Sequence, residues 1–131
     1  MVEASKEVKI VLLINAIVAL IYGFMYFIIP DITNQLNDGP YYNPQFYQLF
    51  GGTCFTLAII ALLAVKRGEW ENLKTVLELG ILWLIFVLII NFWSFAYMPY
   101  STTAIASQAF DIIVVIIIII VDIWVYLRES K

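Results

Sequence analysis

Ten consecutive residues, Ile112 to Val121, are Ile or Val, with Asp111 before them and Asp122 after. The apolar segment around this run extends from Ala104 to Leu127. About 20 residues of helix cross the ~30 Å hydrocarbon core of a bilayer, so the segment reads as a membrane span. The aspartates are eleven positions apart. At about 100° per residue that spacing returns to within about 20° of the same direction, so both edge one face of the helix. An Asp at a helix centre costs roughly 2.5 to 3.5 kcal/mol on insertion scales, while ten Ile and Val return roughly 3 to 6 kcal/mol. Neither aspartate is central, so the span inserts without a dedicated partner for either.

Three more apolar segments precede it: Val8 to Ile29, Phe46 to Val65 and Thr75 to Phe95. Of the 131 residues 63% are apolar and 13% charged, too little charge to cover a soluble domain of this size. The expected fold is all-α, a single membrane domain built as a polytopic four-transmembrane-helix bundle. The first segment is too long for the h-region of a signal peptide and lacks a small-residue cleavage site, so it reads as a retained anchor. The chain has no histidine and one cysteine, Cys54. It therefore offers no internal disulfide or CxxC pair, and none of the usual zinc, haem or triad chemistry. No metal or cofactor is expected. The scattered basic residues make no nucleic-acid footprint.

Orientation follows from charge. Lys6 and Lys9, then Lys66, Arg67 and Lys74, then Arg128 and Lys131 all fall on one side of the four spans. The opposite connections, Pro30 to Gln45 and Ala96 to Thr103, hold no basic residue, so the positive-inside rule places both termini in the cytoplasm of a multi-pass cell-membrane protein. The first of these connections carries Asn34, Asn37, Asp38, Gly39 and Pro40 and reads as a solvated loop with interfacial tyrosines. The terminal Glu and the spacing of a calcium loop are missing from it.

Polar residues inside the spans are the candidate site. Asn15, Tyr22 and Tyr26 lie on one stripe of span one. Asn91 and Asp111 sit at similar depth near the loop joining their helices and are expected to pair, with Tyr22 and Tyr26 beside them. Asn15, Glu78 and Asp122 are expected to form a second layer nearer the cytoplasm, with Glu78 and Asp122 read as interfacial charges. Asn91 lies about 220° around its helix from Glu78, so those two cannot both face a central cavity. On span two Gly51, Cys54, Ala58 and Ala61 make a small-residue face suited to close helix packing.

Tyr22-Gly23, Pro30-Asp31 closing span one, and Phe50-Gly51-Gly52 opening span two together resemble the small four-helix membrane proteins of the DoxX-like type. The resemblance covers mainly Ile14 to Ala64. It implies a four-helix bundle attached to a redox or quinone-linked complex, and it carries over no catalytic residue. The expected role is that of a non-enzymatic membrane component embedded in the lipid bilayer, either an accessory subunit of a larger membrane complex or a small lipophile-binding bundle. Two alternatives stay open. One is a small dimeric transporter, coupled to protons or cations through an intramembrane carboxylate. The other is a membrane enzyme acting on lipid or quinone, for which an acid and a base must be brought together.

Overall fold

The computed structural model describes residues 2–131 and is all-helical. Four helical segments are long and apolar enough to cross a membrane: Lys6–Ile28, Pro44–Arg67, Trp70–Tyr97 and Thr102–Glu129. The first comprises α1 (Lys6–Gly23) and a π-helical turn (Phe24–Ile28), and it is followed by a short helix α2 (Pro30–Asn37). The remaining three are α3, α4 and α5 in chain order. The last three exceed their expected apolar runs at both ends, because capping and charged first and last turns extend the helices beyond their hydrophobic stretches, while the first starts two residues earlier than expected and ends one residue short.

One end of the bundle, here the terminal end, gathers both termini and the turn between α3 and α4. Gly68 ends α3 at φ +77°, a conformation that suits glycine, and its carbonyl accepts from Ala4 N–H at 2.9 Å. Trp70 N–H donates to Val2 O at 2.9 Å, completing a one-rung antiparallel bridge between Glu3 and Glu69. Ser5 N–H donates to Glu129 Oε1 at 2.8 Å, and Lys9 pairs with Glu3 at 2.7 Å. That lysine holds the Glu3 carboxyl below the usual carboxylate range, through its hydrogen bond and its charge. Beneath this seal lies the packed core, with Val8, Leu12, Ala16, Ala61, Ala64, Leu73, Leu77 and Val125 all buried.

The opposite end corrects the expectation of a loop. Pro30 to Asn37 is helical: Pro30 fits the first turn with its fixed φ, Asp31 suits the helix N-terminus, and Asp38 stops the helix in the left-handed region at φ 51°. Of the residues read as turn formers, Asn34 and Asn37 lie within this helix, Asp38 caps it, and Gly39 and Pro40 come after the cap. Pro30 has no N–H for the carbonyls of the preceding turn, and the chain widens there into the π-turn. The buried Thr33 hydroxyl lies within hydrogen-bond reach of Met25 O and Ile29 O and donates its one hydrogen between them, while Ile29 O also accepts from Thr33 N–H at 3.0 Å. Tyr42 donates to Asp31, and desolvation together with that bond pushes its phenol up to about 12.

Along α3 the small residues Gly51, Cys54, Ala58, Ala61 and Ala64 are all buried. Their face meets α1 and the π-turn so closely that a Cβ on Gly51 would lie 2.5 Å from Phe27 N and 2.9 Å from Tyr26 C. Gly52 differs, since its Cβ would touch only the Phe27 ring at 3.7 Å. Gly51→Leu is therefore expected to lower stability in detergent by about 2 kcal/mol or more, the upper range for overpacking. Gly52→Ala is expected to change it by less than about 0.5 kcal/mol. Thermal unfolding of the two variants side by side checks this, and equal midpoints would show that the backbones do not meet there.

Candidate functional site

Beyond Leu77, α4 has no buried residue, and neither does α5 between Ile112 and Asp122. The two helices stand away from α1 and α3 over that length and leave a cavity of about 330 Å³ between them. A Cβ on Gly80, which borders the cavity, would meet nothing within 4 Å. Its middle is apolar, walled by Ala19, Leu57, Val87, Val114, Val115 and Ile118. Four aromatic residues border it as well, Tyr22, Tyr26, Phe50 and Trp83, with Phe50 stacked on Trp83 and set edge-on to Tyr26.

Polar groups border the cavity at both ends. Towards the terminal end, Asn15 Nδ2 donates to Asp122 Oδ1 at 2.7 Å. Asp122 is 1% exposed, and its Oδ2 has no hydrogen-bond partner among the described residues. Towards the far end, Tyr22 Oη donates to Asp111 Oδ1 at 2.6 Å, and Gln108 Nε2 donates to Asn91 Oδ1 at 2.8 Å. Tyr26 Oη accepts from Asn37 Nδ2 at 3.2 Å, and Asn37 Oδ1 accepts from Ser107 at 2.8 Å. Helix α2 is thereby pinned across the far end, with Ser101 donating to Asp38 and Tyr47 to Asn34.

The candidates are thus only partly brought together. Asp111, Asn91, Tyr22 and Tyr26 all border the cavity, but Asn91 bonds Gln108 and not Asp111. Gln108 precedes Asp111 by one helical turn and so shares its face, which the sequence already displayed. Asn15 and Asp122 form one pair, and Asp122 is buried, contrary to its reading as an interfacial charge. Glu78 does not join that layer. It is exposed, because it follows the buried Leu77 by one residue, about 100° around α4 from the face that carries Leu73 and Leu77, and Tyr126 Oη donates to it at 2.7 Å. Of the packing residues, Cys54 and Ala61 also border the cavity.

Among the described residues no group of three or more His, Cys, Asp or Glu converges as a metal site. The arrangement suits a small, largely apolar molecule carrying a few polar atoms, as ligand cavities of roughly 300 Å³ and above commonly do. No protein-family model matches the chain, and neither does any curated protein or solved structure.

The Tyr22 and Asp111 bond is expected to contribute about 0.6 to 1.7 kcal/mol, from the average to the maximum measured for hydrogen bonds between membrane helices. A double-mutant cycle of Tyr22→Phe with Asp111→Leu, read by unfolding in mild denaturing detergent, should return a coupling of that size. A coupling near zero would mean that the two side chains do not interact in the folded bundle.

Proposed function

We propose that this chain is a four-span protein of the cell membrane, with both termini cytoplasmic, that binds a small lipophile within the bilayer. The carrying observation is the cavity between α1, α3, α4 and α5, apolar along its middle and polar at its ends. Lateral access from lipid suits α4, which is tied into the packed core only as far as Leu77. The orientation is supported by all seven basic residues lying at or near the terminal end. The resemblance to DoxX-like proteins supports an accessory role beside a redox or quinone-linked complex, with the lipophile as the shared substrate or cargo.

A second reading has its own support. Asp111 and Asp122 border the same cavity at two depths, as a proton- or cation-coupled transporter would need. In that case Asp111→Asn keeps a hydrogen-bonding group and the fold but abolishes proton-coupled uptake into proteoliposomes. An enzymatic reading has less support, because the carboxyl and phenol that meet at the cavity, Asp111 and Tyr22, are already engaged with one another.

Two outcomes are expected. Gly80→Phe places a ring in the cavity without a clash at Cβ, so the variant should remain folded and lose binding of 1-ethylnaphthalene in lipid nanodiscs, measured as retained ligand by mass spectrometry. Unaltered retention in that variant would show that the hydrocarbon sits elsewhere. A reporter inserted at Asp38 should be external and one fused at either terminus cytoplasmic. The reverse pattern would overturn the orientation.

A further inference from the structure

Asp122 is the most deeply buried charged-type side chain of the bundle, at 1% exposure, and it borders the cavity at the end nearer the termini. Asn15 satisfies one of its oxygens at 2.7 Å and nothing satisfies the other. Neither protonation state is complete as the residues stand. An ionised carboxyl lacks a donor at Oδ2, and a protonated one lacks an acceptor for its O–H. An unmet buried polar group of this kind costs about 1 to 3 kcal/mol, more when charged. Oδ2 itself exposes less than 1 Å², and because the carboxyl torsion of Asp is broad and soft, the carboxyl of this cavity-bordering residue can turn to meet a ligand.

From this we infer that the molecule held in the cavity is a lipophilic amine, its ammonium on Asp122 and its apolar body along the wall formed by α3, α4 and α5. The inference rests on the cavity reading above and names the ligand class. Two carboxyl groups border the cavity, while no Lys or Arg among the described residues does. A cationic ligand supplies the missing charge, and its N–H supplies the missing donor. An inorganic cation fits poorly, because hard cations take about six or more oxygens and this end offers only the Asp122 carboxyl and the Asn15 amide. Size is also set. The volume of about 330 Å³ is roughly twice the ~150 Å³ cavity that accepts benzene, so the body corresponds to about two six-membered rings.

The test uses the full chain in lipid nanodiscs at pH 7, with empty nanodiscs correcting for partition, and three probes of one shape: 2-(1-naphthyl)ethylamine, 2-(1-naphthyl)ethanol and 1-ethylnaphthalene. The amine should bind about five- to tenfold more tightly than the alcohol, the margin between a charge-assisted and a neutral hydrogen bond. Asp122→Asn still accepts from Asn15 and should fold. It should remove the advantage of the amine while leaving 1-ethylnaphthalene within about twofold of its original affinity. Glu78→Gln, a charge change outside the cavity, should leave the advantage intact. An amine that binds no better than the alcohol, or an advantage that survives Asp122→Asn, overturns the inference. If the hydrocarbon binds and the amine gains nothing, the cavity reading stands and the amine falls. If no probe binds, both fall. Should Asp122→Asn not fold, the amine-to-alcohol ratio on the unaltered chain decides, a ratio near one overturning the inference.

Discussion

Two hydrogen bonds, from Asn15 to Asp122 and from Tyr22 to Asp111, tie α1 to α5 and set the geometry that the rest of the bundle must accommodate. Within lipid there is no water to complete such groups, so each carboxyl either finds a donor on a neighbouring helix or bears its desolvation cost. The donors are seven residues apart on α1 and the acceptors eleven apart on α5. At about 1.5 Å per residue those spacings are about 10 Å and about 16 Å, a mismatch that the length of the Tyr22 side chain helps to bridge. Both spacings return to nearly the same side of a helix, so one face of each meets the other. A slip of one residue would turn a carboxyl towards lipid.

With α5 held by polar contacts and α3 by its small-residue face, α1 is committed on two sides. Towards α1 and α3, helix α4 has neither device beyond Leu77, its polar contacts there running to α5 through Glu78 and Asn91. Its exposed residues there include Leu82, Phe86, Ile89, Ile90 and Trp93, which lipid solvates as readily as protein would. The absence of a hydrophobic force between helices in a membrane therefore explains the stand-off, and the stand-off explains the cavity. In water a sealed hole of about 330 Å³ would cost on the order of 8 kcal/mol at about 24 cal/mol per Å³, comparable with the whole stability of a small domain. The cavity here is not sealed, and apolar molecules of a bilayer entering it would remove such a cost.

The coarse architecture was legible because four long apolar runs separated by charge or proline admit few arrangements, and the shared face of Asp111 and Asp122 follows from their spacing alone. Partner choice was not legible. Asn91 pairs with Gln108 and not Asp111, and the decision lies in the relative height and rotation of α4 and α5, which no periodicity encodes. Helix α2 was hidden by composition: Asn and Asp favour turns, yet Pro30 at the first turn and Asp38 in the left-handed region frame a short helix as well as they frame a loop. The burial of Asp122 was obscured by its position near the end of an apolar run, where a carboxyl commonly reaches the interface. Asn15, the side chain that holds it inside, was visible in the sequence, but their adjacency depends on how α1 packs against α5.

The two ends of the cavity differ in kind. Towards the far end Asp111 has a phenol donor, the neighbouring amides bond one another, and α2 is pinned above by Asn37 and Asp38, so that end is a nearly closed network. Towards the terminal end there is one carboxyl with one unmet oxygen, set against the best-packed part of the molecule. About 16 Å of α5 separates the two carboxyls, more than a two-ring molecule spans, so an occupant of that size would engage one at a time. Passage from one to the other would run along the Val114, Val115 and Ile118 wall, which offers no polar foothold. The incomplete end is the one that gains most from a ligand's polar group, and the rigidity of the core around it holds that carboxyl in place.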